Sequence, residues 1–115
     1  MGTPVISDLI GCRYSETGDS REDGYSCLGL ALEIYRRAGI AFPDPRYEEV
    51  ELQPVDGDWP PFALVAYGSA SWITHCAVYL GYGLVIHSAQ GVGVEVVPVT
   101  KPGVIRRVYH YDSRA

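Results

Sequence analysis

Five short apolar stretches punctuated by glycine fill the second half of this 115-residue sequence, and one helical pattern precedes them. The stretches are rich in Val, Ile and Tyr, which is typical of β-strands. Strands that are joined by short turns pair in antiparallel fashion, so this order predicts an α+β domain with one helix packed on an antiparallel meander. The predicted strands are Ala63 to Tyr67, His75 to Leu80, Leu84 to Ser88, Val92 to Val97 and Val104 to Tyr109.

The predicted helix covers residues 27–38. Ser26 belongs to the residue types that cap helix N-termini, and Gly39 stands where a helix-ending glycine is favoured. Two arginines in the last turn suit the negative end of the helix dipole. Apolar residues recur at helical spacing and would form one buried stripe, made of Leu30, Ala31, Ile34, Tyr35 and Ala38.

The composition is that of an ordinary globular domain. Hydrophobic residues make up 47% of the chain and charged residues 20%, and the formal net charge is −5. This charge disfavours nucleic acid as a partner, and no apolar run approaches the roughly 20 residues that span a bilayer. We expect a single domain over residues 1–115 without membrane insertion, with a polar segment and loop over residues 1–26 and an irregular connection over residues 41–62.

The N-terminus lacks a basic segment followed by an apolar stretch, so it does not resemble a secretory signal. We therefore expect synthesis in the cytoplasm, with any release by a route that needs no signal.

Three cysteines at wide spacing disfavour a disulfide framework, and no Cys-x-x-Cys pair suggests structural zinc. Cys27 falls at the predicted helix start, where free N–H groups and the positive end of the dipole favour the thiolate form. The alternative is that Cys27 is only the first buried residue of the helix. Cys12 gives no signal by its spacing and would be in the core or partly exposed.

Two histidines lie on the predicted hairpin formed by the second and third strands. If the loop has three residues, 81–83, then His75 and His87 lie on the same face as diagonal neighbours. A loop of two or four residues would place them on opposite faces. The three-residue loop predicts the pairs Leu80 with Leu84, Val78 with Ile86 and Ala77 with His87.

A cysteine at a helix start beside two histidines is the layout that nucleophilic catalysis requires. The thiolate of Cys27 would attack a carbonyl carbon, His75 would move the proton, and His87 would orient that imidazole. Each histidine alone could equally be an ordinary hydrogen-bonded strand residue, and the three side chains could in principle bind zinc. Cys76 alternates with His75 and should point into the core, and His110 should be a surface residue.

Several segments together resemble the NlpC/P60 family of cysteine peptidases. The residues around Cys27 resemble the family's Asp-Cys-Ser-Gly-Leu-Val motif, and the two histidines stand 12 residues apart as they do in that family. The matching segments are Ile10-Gly11-Cys12-Arg13-Tyr14, Gly24-Tyr25-Ser26-Cys27-Leu28-Gly29-Leu30-Ala31, Ala38-Gly39-Ile40-Ala41-Phe42-Pro43, His75-Cys76-Ala77-Val78-Tyr79-Leu80-Gly81 and Ile86-His87-Ser88.

The resemblance implies a papain-like fold whose N-terminal helix carries the nucleophile, and hydrolysis of bonds in the stem peptides of peptidoglycan. It implies Cys27 as nucleophile, His75 as base and His87 as third member, with no metal or organic cofactor. Tyr14 would help bind the oxyanion, and Ser26 stands where the family has an Asp that often contacts the substrate.

Leu28 follows the nucleophile where the family usually has Ser, and this resembles the branch found in phage tail modules. The resemblance therefore implies a phage or phage-like tail-tip protein, with tail hub or tip proteins as partners. Two other readings stay open: a tail-tip subunit that has lost activity, which the change to Ser26 favours, and an intracellular thiol amidase or acyltransferase on the same fold.

Overall fold

The computed structural model describes residues 4–44, 53–54, 58–69 and 71–110. One helix, α1 (Cys27–Arg37), packs on a six-stranded antiparallel sheet, as the α+β prediction required. The sheet order is β3-β8-β4-β5-β6-β7. Its strands are β3 (Gln53–Pro54), β4 (Leu64–Gly68), β5 (Ile73–Gly81), β6 (Leu84–Ala89), β7 (Gly93–Pro98) and β8 (Ile105–His110), and a separate pair is β1 (Asp19–Ser20) with β2 (Gly24–Tyr25).

The helix begins and ends for the predicted reasons. The Ser26 hydroxyl accepts a hydrogen bond from the Gly29 N–H at 2.9 Å, which satisfies one of the donors left free in the first turn. Gly39 has a φ of 75°, the left-handed conformation that ends helices, and its N–H donates to the Arg36 carbonyl. The five residues of the predicted stripe are all buried.

The five predicted strands are confirmed, with their ends displaced by at most two residues, but the predicted meander is wrong in its last step. Strand β8 pairs with β4 instead of with the outer edge of β7. The N-terminal segment covers that edge: the Gly11 N–H donates to the Val94 carbonyl and the Val94 N–H to the Cys12 carbonyl, each at 2.9 Å. An edge that is already hydrogen-bonded has no room for β8.

The β5–β6 turn also differs from the prediction at its tip. Gly81 pairs with Leu84, so the loop has two residues, Tyr82 and Gly83, and both have the positive φ values of a tight hairpin turn. A bulge at Leu80 inserts one extra residue into β5 and restores the predicted pairing of Val78 with Ile86. The shorter loop and the bulge compensate for each other, so His75 and His87 lie on the same face of the sheet, as predicted.

Two apolar clusters occupy the two faces of the sheet. Leu30 and Ile34 of α1 pack against Val78 and Ile86 on one face. The other face carries a second cluster, made of Ala63, Val65, Tyr67, Ala77, Val85, Val97 and Val108. Because side chains alternate along a strand, His75 lies on the face of Ala77 and Tyr67, which is opposite the helix.

Outside the predicted elements, the polar N-terminal segment contains a short 3₁₀ helix, Ser7–Leu9, and the β1–β2 pair. Of the predicted irregular connection, residues 45–52 and 55–57 lie outside the described residues. The single-domain extent over residues 1–115 stays a prediction. In the described part of the chain, no helix has the length and apolarity needed to cross a bilayer.

Candidate active site

Cys27 is the first residue of α1, half-buried between the helix and β5. A hydrogen bond from the Cys76 thiol, with a further one from His75, lowers the pKa of the Cys27 thiol to about 4, although burial opposes this change. His75 and Cys76 are neighbours whose side chains leave β5 on opposite sides. The thiol of Cys27 therefore lies against the β5 backbone, where both side chains can reach it.

Cys76 is half-buried and on the helix side of the strand, as its alternation with His75 predicted. It is more than a core residue, because it contacts the nucleophile. Its hydrogen bond to Cys27 and its burial raise the pKa of the Cys76 thiol well above its ordinary value, so Cys76 keeps its proton and acts as the donor. The sequence analysis missed this role.

The two histidines are hydrogen-bonded to each other. His75 Nε2 lies 2.8 Å from His87 Nδ1, with the rings nearly perpendicular. Because His75 uses Nε2 for this bond, the nitrogen that remains for Cys27 is Nδ1. The predicted proximity of the histidines is therefore confirmed, and the arrangement matches that of a nucleophile, a base and an orienting group.

Glu95 of β7 is a fourth member of the hydrogen-bonded line formed by Cys27, His75 and His87, and the sequence did not predict it. Glu95 Oε2 lies 2.9 Å from His87 Nε2, and the two residues are direct cross-strand partners. The hydrogen bond from His87, with Lys101 nearby, keeps the pKa of the Glu95 carboxyl below its ordinary value. His87 is only 4% exposed, and burial lowers its pKa while Glu95 acts in the opposite direction.

Other contacts hold these groups in register. The buried Ser88 donates from its hydroxyl to the Tyr25 carbonyl at 2.6 Å, which fixes β6 to the residue two positions before the nucleophile. The Tyr67 ring lies tilted beside His75 with ring centres 6.0 Å apart, and its hydroxyl donates to the Val99 carbonyl at 2.6 Å. These contacts limit the movement of the strands that carry the site.

The two remaining predicted site residues flank the nucleophile. Tyr14 forms an isolated bridge with Tyr25, which places its backbone beside the strand that leads to Cys27. The Ser26 hydroxyl is engaged in capping α1. The oxyanion role of Tyr14 and the substrate-binding role of Ser26 stay predictions. His110 is exposed, as predicted.

The zinc alternative requires both histidines as ligands, but two of their ring nitrogens are hydrogen-bonded to each other. The nitrogens His75 Nε2 and His87 Nδ1 face each other at 2.8 Å, the distance of a shared hydrogen, and leave no space for an ion between them. Among the described residues, no group of three or more His, Cys, Asp or Glu side chains is placed to hold a metal.

Comparison with known proteins supports the same family. The sequence profile of the NlpC/P60 family matches residues 11–112. A "probable endopeptidase" of Mycobacterium bovis is 33% identical over 91% of this chain, and a Mycobacterium tuberculosis protein of the same description matches equally. The chain spans only 26% of the length of these relatives.

Solved structures have the same fold. An NlpC/P60 family protein from Bacillus cereus superposes with a TM-score of 0.72 at 26% identity, over 96% of this chain and 41% of that one. The NlpC/P60 domain of the peptidoglycan hydrolase SagA superposes with a TM-score of 0.68 at 24% identity, over 90% of both chains. The profile match, which extends over most of the sequence, shows that the chain belongs to the NlpC/P60 family.

Proposed function

We propose that this chain is a cysteine endopeptidase that hydrolyses the stem peptides of peptidoglycan. The observation that carries the proposal is the thiol of Cys27, at a helix start, in contact with a histidine whose other nitrogen is bonded to His87. Membership of the NlpC/P60 family supports it, as do relatives that are described as endopeptidases and a peptidoglycan hydrolase domain of the same fold.

The groups perform the reaction in two steps. The Cys27 thiolate attacks the carbonyl carbon of the scissile amide, and protonated His75 gives its proton to the leaving amine as the C–N bond breaks. A thioester then joins Cys27 to the acyl half of the peptide. His75 takes a proton from a water molecule that attacks the thioester, and the thiolate leaves with a carboxylic acid as product. His87 holds the His75 ring in place throughout.

A groove beside the site suits an anionic peptide. It encloses about 210 Å³ at the start of β5 and is lined by Ser69, Ser71, Trp72, Ile73, Arg106 and Arg107. Ala66 of β4 pairs with Cys76 on one side and with Arg107 on the other, so Arg107 and Cys76 share a sheet face. Two strand spacings separate them, about 10 Å. From this distance the guanidinium of Arg107 would bind a stem-peptide carboxylate while the adjacent amide reaches Cys27.

The test is hydrolysis of purified peptidoglycan by the chain and by a Cys27→Ala variant, with the soluble fragments identified by mass spectrometry. We expect new peptide termini from the wild type and none from Cys27→Ala. Cys12→Ala is the matched control, because it removes a half-buried thiol outside the site, and it should cleave as the wild type does.

The absence of fragments from wild-type protein with a reduced thiol, across several wall chemotypes, would refute the peptidase proposal. That result would favour the reading in which the domain is an inactive structural subunit, which the change from Asp to Ser26 supports.

The biological setting we propose is the tail tip of a phage or phage-like particle, where the enzyme would open the wall during entry. The large apolar residue after the nucleophile, Leu28, supports this setting by its resemblance to the tail-module branch. We expect the protein in purified particles by mass spectrometry, beside tail hub or tip proteins. Particles that lack it, with the protein instead at the surface of growing cells, would refute the tail assignment and leave the peptidase proposal intact.

A further inference from the structure

Glu95 is the one charged residue in the apolar strand β7, and its side chain is three-quarters buried. The same oxygen, Oε2, lies 2.9 Å from His87 Nε2 and 3.6 Å from the Lys101 ammonium. The direct pairing of His87 with Glu95 across β6 and β7 sets this geometry, so it does not depend on a mobile loop. A carboxylate held in this way has a defined chemical effect on the ring that it contacts.

An ionised carboxylate can only accept a hydrogen bond, so His87 must carry its hydrogen on Nε2 to bond with Glu95. A neutral imidazole has one N–H, and the Nδ1 of His87 is then an acceptor. The hydrogen between the two rings must therefore belong to His75 Nε2. The consequence is that His75 keeps a hydrogen on Nε2 throughout, so its Nδ1, which faces Cys27, is the nitrogen that gains the thiol proton and later gives it to the leaving amine.

The opposite arrangement would disable the base. If His87 carried its hydrogen on Nδ1, it would donate to His75 Nε2, and a neutral His75 would then carry its hydrogen on Nδ1. That ring would point an N–H at Cys27 and could not take a proton from it. The two arrangements have the same heavy-atom geometry, so within this hydrogen-bonded line the negative charge of Glu95 selects the productive one.

We infer that Glu95 is a positioning residue, which acts through His87 to fix the hydrogen arrangement that makes His75 a base; this inference rests on the proposed peptidase function. Lys101 contributes by compensating part of the carboxylate charge. Its proximity favours ionised Glu95 and disfavours a doubly protonated His87, which would donate from both nitrogens.

The first test is the ring state of both histidines in the ¹⁵N-labelled chain at neutral pH, from long-range ¹H–¹⁵N correlation spectra. We expect wild-type His87 to carry its hydrogen on Nε2 and not on Nδ1, and His75 to carry one on Nε2, with a second on Nδ1 while it is paired with the Cys27 thiolate. In Glu95→Ala we expect a mixture of tautomers at His87, with Nδ1–H on part of that ring population, and loss of the hydrogen from His75 Nε2 in the same fraction. Glu22→Ala is the matched control, since it removes a carboxylate from the exposed turn between β1 and β2, and its rings should match the wild type.

The second test is kinetic. Loss of a carboxylate that hydrogen-bonds a metal-bound histidine typically costs about 10- to 100-fold in activity. Because Glu95 orients a histidine in the same way, we expect kcat of Glu95→Ala to fall by a similar factor. KM should change little, because Glu95 does not touch the substrate. Glu22→Ala should keep wild-type values of both constants.

Wild-type His87 with its hydrogen on Nδ1 would overturn the inference without any variant, even if Glu95→Ala failed to fold. Unchanged tautomers or unchanged kcat in a folded Glu95→Ala protein would overturn it as well. If the wild type hydrolyses no peptidoglycan, the proposed function fails, while the ring tautomers still decide whether Glu95 fixes the histidine pair.

Discussion

Removal of the Cys76 thiol, which lies beside the nucleophile, should raise the pH below which Cys27 loses its reactivity. The Cys76 hydrogen bond is the largest cause of the low Cys27 pKa, which is about 4 against an ordinary value of 9.0. Cys76→Ala deletes that donor and leaves His75 in place. Because the bond stabilises the thiolate, its loss must raise the pKa, and the reactivity should be lost at a higher pH on acidification.

The size of the shift follows from the energy of a hydrogen bond to a charged group, about 1.5–3 kcal/mol. One pKa unit corresponds to about 1.4 kcal/mol, so we expect the Cys27 pKa to rise by about one to two units, to about 5–6. At pH 5 the thiolate fraction would fall from about 90% to between about 10% and 50%. At pH 7 both proteins would be mostly thiolate and would react alike.

The assay is the rate of alkylation of Cys27 by iodoacetamide between pH 3 and pH 9, with the modified peptide identified by mass spectrometry. Cys76→Ser should retain much of the effect, because a hydroxyl of similar size also donates. Cys12→Ala is the control for loss of an unrelated thiol, and its profile should match the wild type.

Two results would refute the reasoning. A wild-type midpoint near 8 or 9 would mean that Cys27 is an ordinary thiol in spite of its position. A Cys76→Ala midpoint equal to that of the wild type would mean that Cys76 is not the donor, and that His75 and the helix start alone lower the pKa.

Two further substitutions separate stability from substrate binding. Ser26→Ala removes the hydroxyl that caps α1 and should lower the free energy of unfolding by about 1 kcal/mol, measured by urea denaturation. An unchanged free energy of unfolding would show that the cap is dispensable. Arg107→Ala should raise KM for stem peptides with a free carboxylate several-fold and leave kcat nearly unchanged. The control Arg13→Ala should change neither KM nor kcat. An equal KM in both variants would exclude the groove as the binding site.

Local patterns were sufficient to predict the elements of this fold but not all their partners. The helix start at Cys27 and its end before Gly39 follow from capping residues, whose effect depends on a few neighbouring positions. The place of β8 could not be predicted in this way, because it depends on the N-terminal segment that covers β7, a contact between residues about 80 positions apart along the chain. The β1–β2 pair was missed because strands of two residues have no periodicity to detect.

The sequence predicted the motif residues of the candidate site but not the residue that supports them. Cys27, His75 and His87 were found from their types and positions on predicted elements, but Glu95 was not. Its partnership with His87 depends on the β6–β7 register, and the predicted strand ends at Ser88 and Val92 would have paired His87 with Gly93 instead. A one-residue difference at each end of this hairpin was enough to conceal the carboxylate.

Strand β6 shows why register matters so much to this site. His87 and Ser88 are consecutive and point to opposite faces, so one strand serves both sides of the sheet. His87 joins the line of His75 and Glu95 on one face, while Ser88 holds the Tyr25 carbonyl on the other, two residues before Cys27. A slip of one residue would exchange these faces. It would take His87 away from His75 and Glu95, and it would break the hydrogen bond between Ser88 and the Tyr25 carbonyl. The alignment of Cys27 with the histidines is therefore a property of the sheet register, which the buried apolar residues of β6 on both faces enforce.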